Sequence, residues 1–313
     1  MFAENAVPSL AAAVRIPVRR GLGESMTDEG KAHRLTVLGA GVMGLSITTT
    51  ALGHGVPVRL VETDPQRLAR VGENVDRQLR VARLLGALPA GRPVGEFTTS
   101  STLDGAQDST VLIEAVTEQS DTKSKALAEA SAVLAAGTPI ISNTSSIPVD
   151  ELADAVTDPA RLIGVHFMNP PYLIRAVEVI RGPRTGDATL AAVRDLLAAL
   201  DREVIVVRDA PGFVTSRLLH PMINDAARIV AEGVATAEQV DALMQGCLGH
   251  RTGPLRTADL IGLDNLADSL WVLHQRTGEE RYRPCEYLLQ KVRNGDHGRK
   301  TGRGFYEYGK ALP

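Results

Sequence analysis

Cysteine is nearly absent. The two residues of that type, Cys247 and Cys285, form no CxxC and cannot build a disulfide framework, which suits a reducing, cytoplasmic setting and leaves both as expected core thiols. A basic surplus is missing too. Lys and Arg number 34 against 37 Asp and Glu, a formal charge of −3, so the chain offers no field for nucleic acid and no polybasic patch for a membrane surface. No apolar run approaches the roughly 20 residues that span a bilayer, no His/Cys/Asp cluster has metal-ligand spacing, and there is no internal repeat or low-complexity tract. What is present is 313 residues with 44% hydrophobic content, enough to bury a large core in two domains.

Residues 1–33 stand apart. Their short apolar stretch carries Glu4 ahead of it and arginines behind it, the reverse of a secretory signal. They are expected to be a disordered extension without function, with Met26 as an alternative start.

From Arg34 the pattern changes. Leu35–Leu38 is a short apolar strand, Val42–Leu52 has helical spacing ended by Gly53 and Gly55, and Val58–Val61 is the next strand, which makes a βαβ unit. Further strands are expected in "STVLIEAV", "TPIISNTS", "RLIGVHF", "AVEVIRG" and "REVIVVRD", with helices between several of them, so the sheet should be mostly parallel and covered on both faces. Between Asp64 and Thr99 the pattern reads as a helical insert carrying Arg67, Arg70, Arg77, Arg80 and Arg83. After "RDAPGFV" strands give way to helices in "SRLLHPMINDAARIVAEG", "TAEQVDALMQGCLG", "NLADSLWVLHQRTG" and "EYLLQKVRNG". The expected fold is therefore α/β, a Rossmann-type doubly wound sheet with a helical insert over 34–208, followed by an all-α C-terminal domain over 209–313. The long apolar stretches of those helices point to burial against a second subunit, a homodimer.

Gly39, Gly41 and Gly44 fit GxGxxG. Alone the motif is weak, but here it follows a strand, opens a helix and precedes an acid, Glu62, about 20 residues on, as a dinucleotide site requires. Gly39 permits the tight turn, Gly41 lets a pyrophosphate approach the backbone and helix N–H groups, and Gly44 lets helix and strand pack closely. Glu62 accepts ribose hydroxyls and repels a 2′-phosphate, while Arg59 is expected to face away, so NAD is preferred over NADP.

In "GVHFMNPPYLIRAVEVIRG" a histidine, His166, and a glutamate, Glu178, stand where burial is expected. Ionisable groups out of water need mutual satisfaction. A lone histidine in an apolar strand is most often a satisfied core residue, yet beside a hydride acceptor it suits the role of a base for a hydroxyl proton, with Glu178 holding its tautomer.

Seven motifs in order, "VLGAGVMG", "VLIEAVTE" with Lys123, "SNTSS", "GVHFMNP" with "VEVIRG", "DAPGFV", "TGPLRTADLIGLD" and "GRKTGRGFYEYG", run from about Arg34 to Tyr308. In these the chain resembles the L-3-hydroxyacyl-CoA dehydrogenase family, whose 3-hydroxybutyryl-CoA members have an NAD-binding domain with a helical excursion after the second strand and an all-helical dimerisation domain. The resemblance implies His166 as base, Glu178 as its partner, Ser145 on the substrate oxygen and Asn169 supporting the site. It places Met43, Glu118, Lys123 and Asn143 at the cofactor. For Glu118 and Lys123 a solvated pair at a helix start is an equal alternative.

Two departures concern the substrate. The family's asparagine in "PGFVxNR" is Ser216 here, which is shorter and cannot both donate and accept as a carboxamide does. Ile174 and Arg175 stand where a methionine is usual, Arg175 being either a solvated strand-edge cation or a contact for a polar acyl group. The expected activity is NAD-dependent oxidation of a 3-hydroxyacyl thioester, or its reverse, the acyl group being carried by CoA or by an acyl carrier protein as in polyketide extender-unit pathways. A dehydrogenase of a free hydroxy or sugar acid and a catalytically silent NAD-binding homologue are the remaining alternatives.

Overall fold

The computed structural model describes residues 33–309. The expectation for the N-terminal extension lies, except for His33, outside the described residues.

In chain order the first part comprises β1 (Leu35–Leu38), α1 (Val42–Gly53), β2 (Val58–Val61), α2 (Pro65–Leu68), α3 (Val71–Leu84), β3 (Phe97–Ser100), β4 (Val111–Glu114), α4 (Ser120–Val133), β5 (Ile140–Ser142), α5 (Val149–Ala153), β6 (Leu162–His166), β7 (Ala176–Arg181), α6 (Asp187–Ala199) and β8 (Glu203–Arg208). The strands form one eight-stranded sheet in the order β3-β2-β1-β4-β5-β6-β7-β8. Side chains alternate across it. Leu35, Val37 and Ile113 pack with Ile47 of α1 and Val193 of α6 on one face, while Leu38, Leu112 and Ile140 pack with Leu127 of α4 and Leu152 of α5 on the other. Burial on both faces is why these strands read as short continuous apolar runs.

The sequence reading is corrected at one place. The insert after β2 is helical only in α2 and α3, and its end, Phe97–Ser100, is a strand parallel to β2, with Val58 opposite Phe97. As the sheet's edge, β3 is half-exposed and lacks apolar alternation, so local pattern hides it. The sheet also reverses direction once: β6 and β7 are antiparallel, because the nine residues 167–175 between them hold no crossover helix. α6 then returns the chain to place β8 parallel to β7.

The remainder is helical: α7 (Thr215–Ala231), α8 (Ala237–Leu248), α9 (Pro254–Ile261), α10 (Leu263–Thr277) and α11 (Glu286–Arg293). Ile223, Leu263, Leu266, Leu270 and Leu288 form the core of α7, α10 and α11. Helix α9 starts with Pro254 at its first turn and stops at Gly262, a boundary pair that its short length concealed in the sequence. Among the described residues no helix is long and apolar enough to cross a membrane.

Candidate active site

The loop between β1 and α1 is shaped by two glycines and opened by a third. Gly39 has φ +95°, and a Cβ there would lie 2.8 Å from the Ala115 carbonyl oxygen. At Gly44 a Cβ would lie 1.8 Å from the Gly39 carbonyl oxygen, so the first turn of α1 can close on β1 only without a side chain. Gly41 differs. It has an ordinary φ of −71° and no protein atom within 4 Å of a Cβ position, and it caps α1 without a side-chain hydrogen bond. The helix therefore presents unpaired N–H groups to open space, a fit for a pyrophosphate. Glu62, buried at the end of β2, accepts from the Ala40 N–H through Oε2 and from the Asp64 N–H through Oε1, both at 2.9 Å, and so anchors this loop. Met43 is half-buried against the apolar core.

At the ends of β4 and β5 lies a buried charge cluster. Lys123 is 1% exposed, with its Nζ 2.8 Å from Glu114 Oε1 and 3.2 Å from Glu118 Oε2. Burial would depress the lysine, but Glu114 and Glu118 hold its pKa above the ordinary value. The solvated-pair alternative for Glu118 and Lys123 is thereby excluded. Burial opposes ionisation of Glu118 as well, yet Lys123, the Thr144 hydroxyl and the Ser145 N–H bring its pKa down to about 2. Ser145 also turns its hydroxyl to Glu118 Oε1, at 3.1 Å. Glu114 takes a 2.6 Å bond from the Ser142 hydroxyl. Its signal in the sequence, an acid inside the apolar run "VLIEAV", is of the same kind as that of Glu178. Asn143 faces the next strand, where its Oδ1 accepts from the Phe167 N–H at 3.1 Å.

The antiparallel register sets His166 directly opposite Glu178, which puts the two side chains on one face of the sheet. Glu178 Oε2 lies 3.2 Å from His166 Nδ1. The Thr215 hydroxyl donates to the same carboxylate oxygen at 2.7 Å and stands 3.2 Å from His166 Nδ1. Since Thr215 spends its proton on Glu178, both neighbours of Nδ1 are acceptors, so Nδ1 carries the proton and Nε2 presents the lone pair. Glu178 Oε1 takes the Val214 N–H at 2.7 Å and the Thr215 N–H at 3.3 Å, capping α7. Burial raises the Glu178 carboxyl, but the bonds from His166, Thr215 and Val214 outweigh it and leave its pKa below the ordinary value. Thr215 was invisible to sequence reasoning because its role depends on the start of α7 meeting β7.

Three other expected residues lie differently. Asn169 is exposed in the loop after β6 and, among the described residues, makes no hydrogen bond to His166. Arg175 is exposed and pairs with the exposed Asp201, the solvated-cation alternative. Ser216 is 1% exposed in the first turn of α7, and its Oγ has no hydrogen-bond partner in the protein. One turn on, His220 is 5% exposed with an unpartnered Nδ1. Burial, reinforced by the nearby His166, lowers the His220 pKa to about 3.

Residues 34–210 match the profile of the 3-hydroxyacyl-CoA dehydrogenase NAD binding domain, and residues 212–308 match that of the 3-hydroxyacyl-CoA dehydrogenase C-terminal domain. The chain belongs to this family. It is an NAD-dependent oxidoreductase. Among its relatives, the 3-hydroxybutyryl-CoA dehydrogenase of Bradyrhizobium diazoefficiens is 38% identical over 284 residues, covering 90% of this chain and 97% of the relative. That of Mycobacterium tuberculosis is 36% identical over 282 residues, covering 88% and 98%. The crystal structure of (S)-3-hydroxybutyryl-CoA dehydrogenase from Ralstonia eutropha superimposes with a TM-score of 0.78 at 34% identity, over 90% of this chain and all of that one.

Proposed function

We propose that the enzyme oxidises a 3-hydroxyacyl-CoA to the 3-oxoacyl-CoA, or runs the reverse, with His166 as general base. The observation that supports this reading is the β6–β7 register, which sets His166 opposite Glu178 with Nδ1 facing Glu178 and Thr215, an arrangement in which Nε2 would act as the base. The 3-hydroxyl proton passes to Nε2 as the C3–O bond becomes a carbonyl, and the resulting imidazolium is stabilised by the ionised Glu178. NAD, when bound over the glycine loop, supplies the acceptor for the C3 hydride. Glu62 takes its ribose hydroxyls, using lone pairs left after the Ala40 and Asp64 N–H bonds. Met43, Glu118, Lys123 and Asn143 are assigned to the cofactor and Ser145 to the substrate oxygen on the resemblance, the Ser145 hydroxyl having to turn from Glu118 to reach it. Asn169 is assigned a supporting role on the resemblance alone.

An acyl group on a carrier protein is the second reading, compatible with the exposed Arg67, Arg70, Arg77, Arg80 and Arg83 on α2, α3 and the turn between them. That surface suits either the phosphates of CoA or an acidic carrier helix, and one acyl group presented on each carrier separates the two. We also assign the apolar outer faces of α7 and α8 to a second copy of the chain. The central test is NADH formation from 3-hydroxybutyryl-CoA. His166→Gln and Glu178→Gln should each lose about 10²–10⁴-fold in kcat while still binding NADH, and near-normal turnover by either variant would exclude the pair as the catalytic centre.

A further inference from the structure

Among the described residues, Asp201 and Phe213 are the non-glycine residues that hold a positive φ. An aspartate tolerates the left-handed region, whereas a bulky aromatic is strained there, so Phe213 at φ +50° requires an account. Glycine would take this backbone at no steric cost, and Gly212 before it does so at φ +68°. Phe213 is therefore retained for its ring. That ring is 3% exposed and belongs to the apolar cluster with Ile147, Val149 and Ile180. It also meets the imidazole of His166, with ring centroids 6.2 Å apart and planes inclined at 59°, the geometry of a tilted aromatic pair. The turn that carries the ring touches the site at two further points. The Gly212 N–H donates to the Ser146 carbonyl at 3.2 Å, next to Ser145, and the Val214 N–H donates to Glu178 Oε1 at 2.7 Å.

We propose that Phe213 is a positioning residue for His166, its ring setting the tilt of the imidazole while its left-handed backbone delivers the next N–H to Glu178. The neighbours of Nδ1 fix the imidazole at one point. A ring held at one point still tilts about it, and the tilt carries Nε2, on the far side, off its line to a substrate hydroxyl. Packing against Phe213 removes that freedom. An aliphatic side chain would fill much of the volume, but its rotatable bonds give the imidazole no rigid surface to rest on. Such aim counts for rate, since a displacement of about 1 Å in a reacting group can cost about 10²-fold. The inference rests on the reading of His166 as the base and adds a residue that acts through it.

Phe213→Leu and Phe213→Met keep a large apolar side chain without the ring. Each should lower kcat for 3-hydroxybutyryl-CoA by about tenfold and leave KM, and the NADH dissociation constant from fluorescence, within about threefold of native. Rates are expressed per NADH-binding site, so that unfolded chain does not count as lost kcat. A merely structural role would lower the thermal midpoint and the number of binding sites while the rate per site stayed native, and that result would overturn the proposal. A loss of NADH affinity as large as the loss of kcat would overturn it too, as general distortion of the site. The double variant separates action through the base from action elsewhere. In the His166→Gln background Phe213→Leu should cost less than about twofold more, and a further loss of about tenfold would overturn the proposal while leaving the base in place. Native turnover by His166→Gln itself would instead remove the base, and this inference with it.

Discussion

His220 is an ionisable residue that the fold keeps neutral, and this has a measurable cost. An unfolded histidine takes up a proton below about pH 6.5, whereas His220 in the folded chain does so only near about 3. Between those values the unfolded state binds more protons, so stability falls as pH is lowered, with this residue contributing up to about 1.4 kcal/mol per pH unit. His220→Leu removes that contribution and the unpaired nitrogen together. The variant should be at least as stable as the native chain at pH 7, and its advantage should widen at pH 5, as measured by urea unfolding at both values. A gap independent of pH would show that His220 takes up its proton in the folded chain as it does in the unfolded one. Glu178 and Glu118, whose pKa values are lowered, also lose their stabilising contributions on acidification, but both chains share that loss and it cancels in the difference. At this scale the sequence was legible where a charge interrupts an apolar run: Glu178 was read that way, and Glu114 carried the same signal. Thr215 and the Glu118–Lys123 pair were not legible, since their environment depends on elements that meet only in the folded sheet.

Elements were legible where both faces are buried. β1, β2, β4 and β5 are short apolar runs because helices cover them on each side, whereas β3 is stabilised as a strand chiefly by pairing with β2, a tertiary cause that no local pattern carries. The glycine loop shows the same division between intrinsic and extrinsic constraint. Gly44 is fixed by the protein, since a Cβ would collide with the Gly39 carbonyl, while Gly41 has free space around it. Gly44→Ala should therefore disrupt the β1–α1 packing and lower the thermal midpoint sharply. Gly41→Ala should unfold at the native temperature yet weaken NADH binding by about tenfold or more, or about 1.4 kcal/mol, in a fluorescence titration. Unchanged affinity in Gly41→Ala would place the pyrophosphate elsewhere.

At the scale of the molecule, the helices after β8 leave several large apolar side chains uncovered. Leu218 is 69% exposed, and Leu243 and Leu248 of α8 are exposed as well. Pro221, Met222, Ile229, Val240 and Met244 line a groove between α7 and its neighbours. The groove uses the face of α7 opposite to Ser216 and His220. A surface of this kind suits a permanent interface. Leu218→Glu should convert a dimer to a monomer in light scattering without unfolding the protomer, because the side chain supports no core; a native chain that is already monomeric at micromolar concentration would refute the assignment. The long apolar helices were readable as candidates for such an interface, but which face remains uncovered required the packed structure.

The carboxylate of Glu178 both pairs with His166 and accepts from the N–H groups that begin α7, the longest helix among the described residues. A substitution at this position thus acts in two places. Removing the acid would, on the proposed reading, lower the rate, and it would also remove one of the contacts by which the helices after β8 are joined to the sheet. An acceptor at position 178 therefore serves the start of α7 whether or not a histidine stands at 166.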